Sequence, residues 1–455
     1  MKRIKAKKKG SVKGSIDGSS LVKSAEKMGA TDIVLTITKS LANQIKFANN
    51  KIMTTQTWDA IDANIFFSYQ KRLMSGSIEI DSQQAAEKSF KKLFDNAKLL
   101  APKEDYYGIA NGKFKYKNPK DCYDKKIEKL EGREVDFTQA AINTALSNGG
   151  KRCAGVLYSS AWNVGKFTSS GVETADKGTD INISIRTFAD KDASGQCVSA
   201  SRILSKFEPE KAAQQSAQFA KDSLRPTPGI PGQYDILFHP MIFANLLYYM
   251  SYAFSAFEVD SGTSFLINKL GKKVGSPLVT IQDDAQMKNG FGSRTFDDEG
   301  VPTKTTNIIE KGRLKTYLHN TSTAKKFKTQ TTANAGLVSP RNFNIVMEEG
   351  KSSVDEMISQ MKNGIYITNT WYTRFTNYRT GDFSTIPRDA MFKVENGRIV
   401  GPIKELRLSE NMQHILESVV AITKEREQIE WWEVETPVLV GHVLCKGLNM
   451  TKSTK

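Results

Sequence analysis

Between Ile236 and Phe257 the chain carries no formal charge when His239 is neutral, although 25% of its residues are charged. Such a run is driven out of water, so the rest of the chain must be arranged around it. The spacing predicts a short buried strand over 235–238 and a buried helix over 240–257. Pro240 suits the first helical turn, where its missing N–H has no intrahelical partner to lose. Apolar residues occupy every face of this helix, which is the pattern of a core element. The run is long enough to cross a bilayer. It nevertheless contains His239, Pro240, Asn245 and several serines, and its flanks (Asp235, Glu258, Asp260) are acidic. No Lys or Arg anchors either end, which argues against a membrane span. A zinc-peptidase helix needs two histidines and a glutamate on one face. This one has a single histidine and no glutamate before Glu258.

With 455 residues the chain has room for two or three domains. Its net charge of +16 is uneven, because residues 1–13 hold seven Lys/Arg and no acid. A block of this kind is expected to be a solvated, disordered tail, here over residues 1–19. It is not a secretory signal, since no apolar stretch follows it. Cys122, Cys153, Cys197 and Cys445 lie far apart with no CxxC spacing. That suits a reducing cytoplasm rather than a disulfide framework or a zinc ribbon.

Taken in order, residues 20–28 read as a short helix, followed by strands over 32–39, 44–55, 60–69 and 75–80. Apolar residues from Ala85 to Ala97 recur at helical spacing and place a helix over 82–100. Residues 105–129 are polar and form an excursion; 136–147 is a second helix. Strands are expected over 153–159, 164–169, 180–189 and 196–204, then a third helix over 208–224. Three prolines and two glycines between Arg225 and Gly232 end that run and mark a domain boundary. The expected domains are therefore 20–228 and 229–455. Past the boundary, strands and turns dominate. A strand is expected over 278–283 and a helix over 353–362, leading into a strand over 365–369. Hairpins turn at Lys311-Gly312 and Asn396-Gly397, the second being a favoured two-residue turn. A short helix over 412–419 and a closing strand over 437–445 complete a mixed α+β pattern.

Local candidates for chemistry are few. The four histidines (His239, His319, His414, His442) show no metal-ligand spacing. Asp297-Asp298-Glu299 can be read as a hard-cation site or as an acidic turn. Asp382 and Ser384 in TGDFS can shape a cleft loop, or Asp382 can make a local side-chain turn. Trp371, Tyr372, Phe375 and Tyr378 interleave with Arg374 and Arg379. That mixture suits a peptide cleft or a subunit interface, and equally a single-stranded nucleic acid.

Several blocks resemble the TldD/PmbA family of peptidase-like proteins. They are Asp283-Asp284, FDDEGVPT from Phe296, IEKGRLKTYLH from Ile309, Thr323-Ala324, SPRN from Ser339, TGDFS from Thr380 and ENG from Glu395. Their order and rough spacing match as well. The resemblance extends to the first half, around Phe47-Ala-Asn-Asn50, the helix at Ser82 and residues 155–171. It implies an N-terminal mixed sheet with helices and a C-terminal, β-rich, barrel-like domain, an α+β class. It also implies dimers, in which one branch binds zinc through a His-Glu-xxx-His helix and a later cysteine. The other branch lacks those residues and acts as the partner subunit.

This chain resembles the zinc-less TldE/PmbA branch. In the better of two registers the motif positions hold Tyr248, Tyr249 and Ala253; in the other, Pro240 and Ala244 follow His239. Tyrosine, with a pKa of about 10, cannot replace a general-base carboxylate near neutral pH. The resemblance thus implies no cofactor in this chain, with zinc only in a TldD-like partner, or else a homodimer. The expected substrate is unfolded peptide, in the cytoplasm, with no membrane involved. Arg341, Asn342, Trp371, Tyr372, Asp382 and Ser384 are the candidate cleft or interface residues. The alternative is a basic nucleic-acid-binding protein that uses the Lys-rich tail and residues 371–379.

Overall fold

The structure, a computed structural model, describes residues 17–453. The expected basic tail lies, as far as residue 16, outside the described residues. The first half builds one six-stranded sheet from β1 (Thr31–Ala48), β2 (Lys51–Tyr69), β3 (Arg72–Ile78), β4 (Arg152–Thr168), β5 (Glu173–Asp190) and β6 (Ala193–Ser201). Its order is β3-β2-β1-β4-β5-β6. Every neighbouring pair is antiparallel, where the resemblance implies a mixed sheet.

Several expected strand boundaries fall elsewhere. No break separates 32–39 from 44–48, since Ser40 to Asn43 stay paired with both β2 and β4. Residues 44–55 are not one strand, because the chain turns at Asn49 and Asn50, both with positive φ (50° and 66°). Asparagine tolerates that left-handed region, which is why it serves hairpin turns. Conversely, 153–159 and 164–169 are a single strand, since Ser160 to Asn163 stay paired with both β1 and β5.

Helices cover one face of this sheet. Gln83–Ala97 packs Phe90 and Phe94 against Phe67 and Ile65. Glu134–Ser147 and Pro209–Asp222 pack small residues (Ala141, Ala145, Ala213) against Ile181, Ile183 and Ile185. On the opposite face Val34 and Phe66 meet Tyr106 and Ile109 of the expected excursion. The 105–129 segment is therefore packed, and it passes between the two halves of the chain.

The second half is organised around the uncharged run, which splits into a strand, Gly232–Phe238, and a helix, Pro240–Ser251. Residues 241–247 of this central helix are all buried. The helix stops short of the expected 257. Ser255 is extended, and the chain there pairs with Leu318, whose carbonyl accepts from the Ala256 amide at 3.0 Å. Five strands close into a small barrel: Asn363–Asn377, Gly232–Phe238, Val443–Lys452, Leu406–Asn411 and Asp382–Glu395, which pairs back with the first. Beside it lies a six-stranded sheet containing Val434–Val440 and Glu427–Trp431. The central helix packs between barrel strand Asn363–Asn377 and strand Val434–Val440.

The expected closing strand over 437–445 is two strands in two different sheets. They break at Gly441-His442, where the His442 amide donates to Thr423 Oγ1 at 2.8 Å and its carbonyl accepts from the Thr423 amide at 3.0 Å. Among the described residues no helix is long and apolar enough to cross a membrane.

Candidate functional site

The C-terminal end of the central helix meets two other elements. One is barrel strand Asn363–Asn377, which carries a bulge where its register shifts between Trp371 and Arg374. Tyr372, inside the bulge, has φ of 61°, a conformation that a bulky residue adopts only when its surroundings enforce it. Bulges re-aim side chains and free main-chain groups from the ladder. Here the freed Tyr372 amide donates to Glu433 Oε1 at 3.3 Å. Glu433 sits in the turn between Glu427–Trp431 and Val434–Val440, and only 5% of it is exposed.

The helix completes the arrangement. Asn245, fully buried, donates from Nδ2 to the Glu433 carbonyl at 3.0 Å, and its Oδ1 accepts from the Thr373 hydroxyl at 2.6 Å. One turn on, the Tyr249 hydroxyl donates to Glu433 Oε2 at 3.4 Å and accepts from Arg374 Nη1 at 3.2 Å. Tyr248 lies beside it with ring centroids 5.3 Å apart. Burial raises the Tyr248 phenol to about 12, helped by the negative charges of Glu435 and Glu433. Burial also raises Tyr249, with Glu433 adding to the rise and Arg374 opposing it. Both phenols are therefore neutral hydrogen-bonding groups at ordinary pH. Trp371 and Trp432 form the rim, their ring centroids 5.5 Å apart, and the buried Trp431 backs both at 6.3 and 5.2 Å.

Nothing in this set suits a metal. Protonated phenols are poor ligands, and Ala253 offers no donor atom. Among the described residues no three His, Cys, Asp or Glu side chains gather where they could hold a metal ion. Nor does a nucleophile with an adjacent base appear. What the arrangement offers is a wall of aromatic rings, one guanidinium and one buried carboxylate.

The candidates read from the sequence fall into two groups. Trp371 and Tyr372 belong to this wall. Trp371 also reaches the N-terminal sheet, donating from Nε1 to Gln196 Oε1 at 3.2 Å beneath the Arg186 guanidinium. Asn342 touches the helix end, donating to the Ser251 carbonyl at 3.2 Å. Ser384 lies opposite Arg374 in the ladder but accepts from Arg407. Arg341 instead pairs with Asp298 at 2.9 Å. Asp382 accepts from Thr380 in its own turn and from Asn411 on the adjoining barrel strand. Phe375 packs against the core, leaving Tyr372 and Tyr378 as the exposed aromatics of the 371–379 stretch.

Glu433 and Asn245 were not singled out by sequence. The WWE triplet at 431–433, with two tryptophans before an acid, was the available signal. The pairing of His239 with His442 also had none. Their rings meet edge-on at 4.9 Å, and burial lowers both pKa values, keeping the imidazoles neutral. His239 caps the central helix through Nδ1, which accepts from the Met241 amide at 3.2 Å.

The acidic turn resolves as a structural knot. Asp297 Oδ1 accepts from the Glu299 and Val301 amides and Oδ2 from Ala335, while Glu299 accepts from Ala110 and Thr321.

Residues 231–452 match the family described as PmbA/TldA metallopeptidase C-terminal domain. A metalloprotease of Methanocaldococcus jannaschii is 34% identical over 214 residues, which is 45% of this chain and 46% of that protein. A metalloprotease PmbA homolog of Buchnera aphidicola subsp. Acyrthosiphon pisum is 31% identical over 192 residues, 41% of each. The chain thus aligns with less than half the length of these curated relatives. The crystal structure of TldE from Thermococcus kodakarensis superposes with a TM-score of 0.85 at 20% identity, covering 95% of this chain and 99% of that one. At that identity the likeness shows the fold.

Proposed function

We propose that the chain, whose residues 231–452 match the PmbA/TldA metallopeptidase C-terminal domain, is a metal-free, TldE/PmbA-type subunit of a two-component cytoplasmic peptidase. The observation that carries this reading is the helix face itself. In the register preferred from the sequence, the zinc-ligand positions of a catalytic member fall on Tyr248 and Tyr249 of the helix and on Ala253 in the turn that follows it, and both phenols are held protonated. The Glu433–Tyr249–Arg374 chain of hydrogen bonds, with the tyrosine hydroxyl at its centre, lies beside them.

The chain's task on this reading is to complete the cleft of a zinc-bearing, TldD-like partner and to help admit unfolded peptide. The zinc would supply the activated water in that partner. In this chain the tryptophan rim and Arg374 would hold an extended backbone, with main-chain hydrogen bonds giving affinity without strong sequence preference.

The test is metal content of the purified chain by mass spectrometry, with peptidase assays run alone and with a family member carrying the His-Glu-xxx-His helix. The expected result is no stoichiometric zinc, no cleavage alone, and cleavage in the mixture that depends on both proteins. One zinc per chain together with autonomous cleavage would overturn the proposal.

A further inference from the structure

Residues 111–120 run between the two halves of the chain without joining a sheet. Alternate side chains in this segment are anchored. Phe114 packs against Ala110, Val301 and Ala333. Tyr116 stands edge-on to Phe296 at 6.0 Å and donates its hydroxyl to the Gly300 carbonyl at 2.9 Å. The positions between them, Lys113, Lys115 and Lys117, are exposed, and Lys120 follows. A period of two is that of extended backbone, which sets successive lysines about 7 Å apart.

These ammonium groups have no ion-pair partner among the described residues. The acids close to them in the fold are already engaged. Asp121 pairs with Lys288 at 3.2 Å, Asp124 caps a short helix, and Asp176 accepts from the Lys177 and Thr295 amides. The main-chain N–H groups from Lys113 to Lys117 are also without a hydrogen-bond partner among the described residues.

We propose that residues 113–117 are a docking strip for an extended acidic polypeptide segment, which adds alongside it as a strand. Two observations on independent atoms select this occupant. The free amides offer the main-chain half of a ladder, which only another polypeptide completes. The lysines repeat at two residues, the period at which Asp or Glu recur on one face of an extended peptide. A single-stranded nucleic acid would match the charge. Its binders, however, present aromatic platforms, and both rings of this strip are turned inward. The strip stands apart from the tryptophan rim and does not rest on the metal-free reading.

The probe is a fluorescent peptide of alternating Glu and Thr, followed by anisotropy on the full chain at low and raised salt. Wild type is compared with Lys113→Glu/Lys115→Glu/Lys117→Glu and with the corresponding triple Gln variant, whose thermal melts confirm folding. All three proteins keep the basic segment before residue 17, so differences report on the strip. The expected result is salt-sensitive binding that weakens by about tenfold or more on charge reversal and by less with Gln, as loss of steering and pairing charges dictates. A Lys/Thr peptide should not bind. Equal affinity of wild type and the reversed variant for the acidic peptide would overturn the proposal. So would an oligothymidylate that binds more tightly than the peptide and loses more on reversal.

Discussion

Asn245 and Glu433 are joined by a single hydrogen bond, from the Asn245 side-chain amide to the Glu433 carbonyl, 3.0 Å apart and both out of contact with water. Through it the central helix holds the turn that carries the buried carboxylate. Replacement by Leu keeps the volume but strands that carbonyl and the Thr373 hydroxyl. The Asn245→Leu protein should lose about 2–3 kcal/mol of stability, measured as a lower urea midpoint at unchanged slope.

Tyr248 gives a titration signature of the same wall. Its phenol is pushed up to about 12 by burial and by the charges of Glu435 and Glu433. A folded pKa above the ordinary value of about 10 means stability that is full below that pH and is lost as pH rises through about 12. Burial also raises Tyr106 and Tyr366, so ultraviolet titration of the folded protein should show one late-ionising tyrosine fewer in Tyr248→Phe than in wild type, and the variant should unfold less readily at alkaline pH.

Glu299 makes an opposite-range prediction. Burial, then the charge of Asp297, raises its carboxyl well above the ordinary carboxylate range, and the two acids titrate as a pair. The contribution to stability is therefore full below about pH 4.3 and is lost as pH rises through the raised range of the pair. Melting temperatures of wild type should fall between pH 5 and 8 more steeply than those of Glu299→Gln. A parallel fall in both proteins would contradict the assignment.

Arg202 is the most consequential single cation. It is 1% exposed and donates to the carbonyls of Thr179, Ser293 and Cys122, so one guanidinium binds the N-terminal sheet, the 105–129 segment and the second half. Arg202→Met removes the donor to those carbonyls, of which that of Cys122 keeps the Thr179 amide at 3.2 Å, and takes the cation away from the buried Asp180. It should cost about 3–5 kcal/mol, the range for removing one partner of a buried charge pair, and should separate the two halves in limited proteolysis.

Much of this was legible in the sequence because it rests on local rules. The uncharged run fixed where the core helix begins, and the Lys311-Gly312 and Asn396-Gly397 turns fall where expected, all four residues having positive φ. The misreadings share a different cause. Residues 160–163 look like a turn but remain strand because β1 and β5 hold them from both sides. The helix stops at Ser251, and the last strand divides at His442, because distant residues (Leu318 and Thr423) claim the main chain there. At the site, Tyr248, Tyr249, Trp371 and Tyr372 were visible as unusual residue types. Glu433 was not, since its role depends on a bulge and a turn that meet only after folding.

The barrel has a consequence for the order in which the second half can be made. Its first strand in the sequence, Gly232–Phe238, lies between Asn363–Asn377 and Val443–Lys452, the last strand described. The central helix follows that first strand directly and has apolar residues on all sides. During synthesis it must therefore wait, unsheltered, until the final strand arrives to close the ring. Long-range pairing of this kind slows folding and leaves apolar surface open meanwhile. The nascent second half is thus the part of the molecule most dependent on a chaperone, or on an early partner, for safe passage.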